Sequence, residues 1–168
     1  MGLQKKIHLL LIALLTVTFV NAQDKPASPP AVATGKINGA TISINYSSPS
    51  VKGRKIWGEL VPFNKIWRAG ANDATTIETD KDLTVEGSKL PAGKYSFFVI
   101  PNEKECVIIF NKVAKQSGTH NYKEKEDQLR VTVKQQLADS STERLVYTVN
   151  ENSIVLSWEK WNIPISVK

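Results

Sequence analysis

Cysteine and histidine are almost absent from this chain. Its 168 residues include one cysteine and two histidines. A single cysteine excludes an intramolecular disulfide, so the fold must depend on apolar burial and hydrogen bonding. Cys106 opens an apolar run, where a thiol is usually an inert small hydrophobe. His8 falls in an N-terminal apolar stretch, which leaves His120 alone and excludes a histidine-rich metal site. We expect no metal and no cofactor.

Catalytic signatures are missing as well. The sequence contains no GxSxG elbow, no glycine-rich phosphate loop and no HExxH motif. Its carboxylates show no calcium-loop spacing. Lysine and arginine number 22 against 16 acidic residues, an excess that is small and spread among acids. Such a balance is typical of a soluble protein, and we expect no nucleic-acid partner.

The N-terminus has the pattern of an export signal. Lys5 and Lys6 precede an apolar run from Ile7 to Val20, which ends at the small-residue sequence Val20-Asn21-Ala22. The run is short for a membrane span. The pattern predicts a signal peptide over residues 1–22. We expect a mature protein in the periplasm or medium, without stable membrane insertion.

The remaining chain reads as one β domain. Residues 23–31 are rich in proline and predict a flexible tether before a domain at 32–168. Two alternating runs flank Asn38-Gly39, the dipeptide best suited to a type I′ hairpin turn. In the second run, Ile42, Ile44 and Tyr46 alternate with polar residues, which predicts one buried and one wet face.

Further short apolar runs follow at turn-separated intervals. Tyr95 to Ile100 reads as a strand buried on both faces, with Cys106 to Phe110 as its hairpin partner. Ile154 to Trp158 and Ile163 to Val167 predict two separate strands near the end of the chain. In total, the spacing favours an antiparallel β-sandwich or an open barrel of about nine or ten short strands. Residues 111–127 predict a long loop, either functional or mobile.

The stretch from Ile56 to Thr76 combines residue types that a plain strand does not need. Arg68, Asn72 and Thr75 could present a guanidinium, an amide and a hydroxyl to an anionic or hydroxylated ligand. Alternatively, they satisfy backbone groups of an irregular segment. Trp57 and Trp67 could form a stacking platform for a sugar ring, or they could lie in the core. The binding candidates are Arg54, Trp57, Trp67, Arg68, Asn72 and Thr75.

Two functions therefore remain open. The first is a module that binds a small molecule, a glycan or an envelope protein through the segment from Trp57 to Thr76. The second is a hydrolase with acids such as Glu59 and Asp73 in the same segment, since paired carboxylates perform acid/base work in glycosidases. Convergence of Glu59, Asp73 and Glu78 on one concave pocket would favour the hydrolase.

One resemblance covers nearly all of the mature chain. The run SPSVKGRKIWGELVPFNKIWRAGANDATTIE, followed by LPAGKYSFFVIP and IIFNK, resembles the exported bacterial family catalogued as domain of unknown function 2911. Its WRxGAN core corresponds here to Trp67 through Asn72, and the preceding basic step is Lys52-Gly53-Arg54. The resemblance carries no activity, ligand or catalytic residue to this chain.

Overall fold

A computed structural model describes residues 26–168, which form ten β-strands and no α-helix. The predicted signal peptide and the start of the predicted tether lie outside these residues. The strands are β1 (Pro30–Ile37), β2 (Ala40–Ser47), β3 (Thr75–Thr79), β4 (Leu83–Val85), β5 (Ser88–Leu90), β6 (Gly93–Pro101), β7 (Cys106–Asn111), β8 (Asp127–Val133), β9 (Gln136–Val149) and β10 (Ser153–Ser166).

Six strands form one antiparallel sheet in the order β1-β2-β3-β6-β7-β8. A long hairpin of β9 and β10 and a short hairpin of β4 and β5 form two further sheets. Apolar side chains of β9 and β10, including Tyr147 and Leu156, share one buried cluster with the large sheet. The predicted all-β class and strand number are thereby confirmed.

The N-terminal hairpin follows from its turn. Asn38 and Gly39 both have positive φ, 48° and 76°, as a type I′ turn requires. β1 pairs with β2 from Pro30 opposite Ser47 to Ile37 opposite Ala40. The backbone N–H of Ser48 also donates to Pro29 O at 2.8 Å. The sheet therefore begins inside the stretch assigned to the tether from sequence, because the proline-rich residues occupy an edge position.

The centre of the large sheet is the predicted apolar pair. In β6, every residue from Tyr95 to Val99 is buried, and Phe98 lies opposite Ile109 of β7. Burial on both faces explains why this strand lacks the alternation seen in β2. The prediction for these two strands is confirmed.

The end of the chain differs from the sequence prediction. β10 is one strand of 14 residues, where two separate strands were expected. Its pairing with β9 shifts on both sides of Glu159, which has a positive φ of 53°. A β-bulge thus absorbs the polar residues that suggested a loop. Pro164 follows Asn162, the last residue of β10 that pairs with β9, so its missing N–H breaks no bond in that ladder.

Residues 111–127 connect β7 to β8 across one face of the large sheet. Their only helical element is a single 3₁₀ turn at Glu124–Glu126. The connection is tied down at several points; for example, the backbone N–H of Ala74 donates to Gln116 O at 2.9 Å. It therefore forms a cover over that face.

Candidate functional site

The four tryptophans gather in one buried cluster. Trp57 stacks on Trp161 with ring centroids 4.4 Å apart, and Trp67 stacks on Trp158 at 5.7 Å. None is more than 9% exposed. The indole N–H of Trp57 donates to Trp158 O and that of Trp67 to Gly70 O. The sequence left open whether Trp57 and Trp67 form a stacking platform or lie in the core. They lie in the core, so neither offers an open face to a sugar ring.

Thr75 also serves the interior. Its side chain is fully buried, and its hydroxyl donates to Ala69 O at 2.9 Å. The hydroxyl of Tyr147 donates to the same carbonyl at 2.7 Å. Burial raises the pKa of Tyr147 well above its ordinary value. A Cβ on Gly70 would lie 2.9 Å from Thr75 Oγ1, so this turn packs too closely for any residue other than glycine.

Arg54 binds its own turn. Its Nε donates to Val51 O at 3.0 Å and its Nη2 to Ser50 O at 2.5 Å. The bend that brings these carbonyls to the guanidinium contains Lys52 and Gly53, both with positive φ. Arg54 therefore stabilises a basic turn.

Arg68 and Asn72 lie nearer the surface. Trp67 forms an antiparallel bridge with Val99 of β6, which places Arg68 beside Phe98 and on the same face of the sheet. Arg68 is partly buried, and its Nε has no hydrogen-bond partner among the described residues. Asn72 is exposed, and its Nδ2 donates to Ser47 Oγ at 3.3 Å. The six predicted residues do not converge on one pocket.

A row of polar side chains crosses the face of the large sheet that points away from the β9–β10 hairpin, here called the outer face. The strand registers place Asn45, Thr76, Ser96, Asn111 and Asp127 opposite one another in turn. Opposed residues in antiparallel strands share a face. Four neighbouring strands and the first residue of β8 thus build a continuous polar floor.

A cavity of about 520 Å³ lies over part of this floor. Its polar and charged lining comes from β2, β3 and β6, from the end of the 56–76 segment and from the 111–127 connection. Backbone and apolar groups complete it. The lining residues are Asn45, Tyr46, Ser47, Asp73, Ala74, Thr76, Lys94, Ala114, Lys115 and Gln116.

Gln116 is the most constrained residue of this lining. It is 3% exposed, and its Nε2 lies within 3.0 Å of Ser96 Oγ, Asn111 Oδ1 and Val113 O. Its Oε1 is buried and has no hydrogen-bond partner among the described residues. The amide nitrogen is thus fixed as a donor, and the carbonyl oxygen is a buried acceptor with no described partner, in a residue that lines the cavity.

Further hydrogen bonds hold Asn111 and the connection in place. Asn111 Nδ2 donates to Asp127 Oδ1 at 2.8 Å. The hydroxyl of Tyr122 donates to Asp127 Oδ2 at 2.7 Å, and its ring packs edge-on against Phe98. Burial is the main cause that raises the pKa of Tyr122 well above its ordinary value, and the hydrogen bond to Asp127 raises it further. A linked polar network therefore positions the cavity wall.

The acids named for the hydrolase alternative do not meet in the cavity. Only Asp73 lines it. Glu59 is exposed and pairs with Lys55 at 3.2 Å, and Glu78 pairs with Lys94 at 3.3 Å. The thiol of Cys106 is fully buried and donates to Gln135 Oε1 at 3.8 Å. Burial raises the pKa of Cys106 to about 11, which opposes nucleophile formation.

No group of three or more His, Cys, Asp or Glu among residues 26–168 is placed to hold a metal ion. No helix there is long and apolar enough to cross a membrane.

Sequence reasoning missed most of the cavity, including its polar residues Asn45, Lys94, Lys115 and Gln116. Alternation in β2 did place Asn45 on the wet face, and the length of the 111–127 connection marked it as functional or mobile. No local pattern showed that this connection folds back over Asn45, because that contact depends on tertiary structure.

The molecule is a two-layer all-β domain with a cavity between the outer face of its large sheet and a covering loop. A family model described as "Protein of unknown function (DUF2911)" matches residues 28–167. The chain belongs to that family, as its WRxGAN core indicated. No curated protein and no solved structure matches it.

Proposed function

We propose that this domain is a binding module and that the cavity on its outer face holds a small polar molecule. The observation that carries the proposal is the buried carbonyl oxygen of Gln116. An unsatisfied buried acceptor costs about 1–3 kcal/mol, and a donor from a ligand in the cavity would recover part of that cost. The other described side-chain groups of this network, on Asn111, Asp127 and Tyr122, have hydrogen-bond partners, so the unpaired oxygen of a lining residue is the exception.

The size and lining of the cavity support the same function. A volume of about 520 Å³ falls within the range of about 300–1,000 Å³ typical of small-ligand sites. Asn45, Asp73 and Lys115 are exposed, so they can reach a ligand without rearrangement of the core. The cavity differs from the site predicted from sequence. Only the end of the 56–76 segment lines it, and its other lining residues come from β2, β6 and the covering connection, with no tryptophan among them.

No observation favours the hydrolase. Glycosidase chemistry uses two carboxyl groups about 5–9.5 Å apart on either side of the scissile bond. Asp73 is the one carboxylate that lines the cavity, so the second carboxyl group that this chemistry needs is missing from the lining. Binding without catalysis is the simpler consequence of this lining.

The test is a ligand screen with a filled-cavity control. Saccharides, organic anions, amino acids and short peptides are tested for an increase in melting temperature, which a ligand specific for the native state produces. Ala114→Phe places a ring in the cavity, and Ala92→Phe places the same ring on an exposed turn outside it. We expect at least one class to stabilise wild type and Ala92→Phe but not Ala114→Phe. Equal stabilisation of both variants, or none of wild type, would overturn the proposal.

We also propose that the protein works outside the cytoplasm, on the strength of the signal-peptide pattern. Mass spectrometry of protein from the periplasm or medium is expected to show an N-terminus at Gln23. An intact Met1 on the mature material would contradict it.

A further inference from the structure

We infer that the ligand of the outer-face cavity carries both an ammonium and a carboxylate group, as a free amino acid or a short peptide does. This inference rests on the proposed binding function and specifies its ligand class. It follows from the charges of the lining, from the hydrogen-bonding state of Gln116, and from the position of the aromatic residues.

The cavity presents charges of both signs from different elements. Asp73 lies where the 56–76 segment enters β3, Lys94 is on β6, and Lys115 is on the covering connection. Lys94 also pairs with Glu78 at 3.3 Å, whereas Asp73 and Lys115 have no ion-pair partner among the described residues. A ligand with one charge of each sign can pair with both free groups.

Gln116 adds an acceptor and no donor. Its Nε2 has three acceptors within 3.0 Å, and a side-chain amide has only two N–H groups. The remaining Oε1 can only accept. The exposed carboxylate of Asp73 suits a donor-rich group such as an ammonium, and Gln116 offers no competing donor. A purely anionic ligand would leave this carboxylate unmatched and would face repulsion from it.

The aromatic residues disfavour the main neutral alternative. Saccharide sites commonly place an aromatic ring against the sugar face, and all four tryptophans of this domain are buried at 9% exposure or less. No tryptophan or phenylalanine lines the cavity, and Tyr46, its one aromatic residue, is buried with its ring packed against Tyr147. The cavity therefore offers charge and hydrogen bonds in place of a stacking surface.

The first experiment measures binding of trialanine, which has both end charges, by calorimetry. It is compared with N-acetylated trialanine, which lacks the ammonium, and with the C-terminal amide, which lacks the carboxylate. Charge-assisted hydrogen bonds support a loss of about tenfold or more in affinity for each capped peptide. A mixture of free amino acids is tested in parallel, and binding by either source supports the inference. If the capped peptides bind as tightly as trialanine, the inference is overturned.

Variants then assign each charge. Asp73→Asn is expected to remove the difference between free and N-acetylated trialanine, and Lys115→Gln to reduce the difference between the free peptide and its amide. Asp139→Asn and Lys134→Gln change exposed charges outside the cavity and should behave as wild type. Unchanged discrimination in Asp73→Asn would contradict the assignment.

The ligand class and the binding function can fail separately. If a saccharide or an organic anion binds, and Ala114→Phe abolishes that binding, the inferred ligand class is wrong and the binding function stands. If no class binds in a way that depends on the cavity, both are wrong.

Discussion

The side-chain amide of Gln116 donates to Ser96 Oγ at 2.9 Å, and both residues are almost completely buried. This contact joins the covering connection to the floor of the outer face, 20 residues away along the chain. It fixes one wall of the cavity by a polar bond and not by apolar packing. A wall held in this way can keep its position whether or not a ligand is present.

Gln116→Leu is expected to destabilise the domain. The change takes the amide donor away from Ser96 Oγ, Asn111 Oδ1 and Val113 O. Each buried acceptor left unpaired costs about 1–3 kcal/mol, and these losses outweigh the cost relieved by removing the single unpaired Oε1. Urea unfolding provides the measurement. Gln128→Leu on the exposed surface of β8 is the matched control. Equal free energies of unfolding for the two variants would show that the network does not stabilise the connection.

Phe98→Ala is expected to cost about 3–5 kcal/mol, because Phe98 is fully buried against Ala74 and Ile109. For a domain of ordinary stability this is a large fraction of the total. Val32→Ala, at a site 61% exposed, should stay within about 0.5 kcal/mol of wild type. A melting temperature of Phe98→Ala close to that of wild type would refute a central role for β6.

Arg68→Lys separates a structural from a ligand-facing arginine. Arg68 has no side-chain hydrogen bond or ion pair among the described residues. Replacing its planar guanidinium with an ammonium therefore breaks no described bond. We expect a stability within about 0.5 kcal/mol of wild type. Arg68→Ala should lose more, because the stem packs beside Phe98. A loss of about 1–3 kcal/mol in Arg68→Lys would instead indicate a buried structural arginine.

Cys106 predicts a pH dependence of stability. Its thiol has an ordinary pKa of 9.0, and burial raises that pKa to about 11 in the folded protein. Between these values, the unfolded chain loses the proton while the folded chain retains it, so stability falls as the pH rises. The variant Cys106→Ala lacks the thiol and therefore lacks this pH-dependent contribution. Its stability deficit relative to wild type should therefore shrink from pH 8 toward pH 11, as measured by urea unfolding at each pH.

A constant deficit of Cys106→Ala across that range would contradict the prediction, because other titrating groups are common to both proteins and cancel in the comparison.

Several elements of the fold could be read from local pattern. Alternation of Ile42, Ile44 and Tyr46 predicted the buried face of β2, and Asn38-Gly39 predicted the first hairpin. The nearly continuous apolar run in β6 predicted a strand covered on both sides. These features follow from the two-residue period of a strand and from the few residues that accept positive φ.

The positions of the tryptophans required the tertiary structure. Trp57 stacks on Trp161, a residue 104 positions away. Trp57 lies in the 56–76 segment, which has no strand periodicity. In such a segment nothing local determines which side faces the core. The bulge at Glu159 was missed for a related reason: two charged residues suggest a loop, and only pairing with β9 shows that the strand continues.

The sequence by itself determined the all-β class, the main strands and the family, because strand period, turn chemistry and the WRxGAN core are local properties of the chain. Only the tertiary structure decided where a ligand could bind. Asn45, Lys94 and Gln116 lie far apart in sequence, and they line one cavity because strand register and the folded-back 111–127 connection bring them together. Side-chain convergence of this kind depends on long-range packing, which no local pattern encodes.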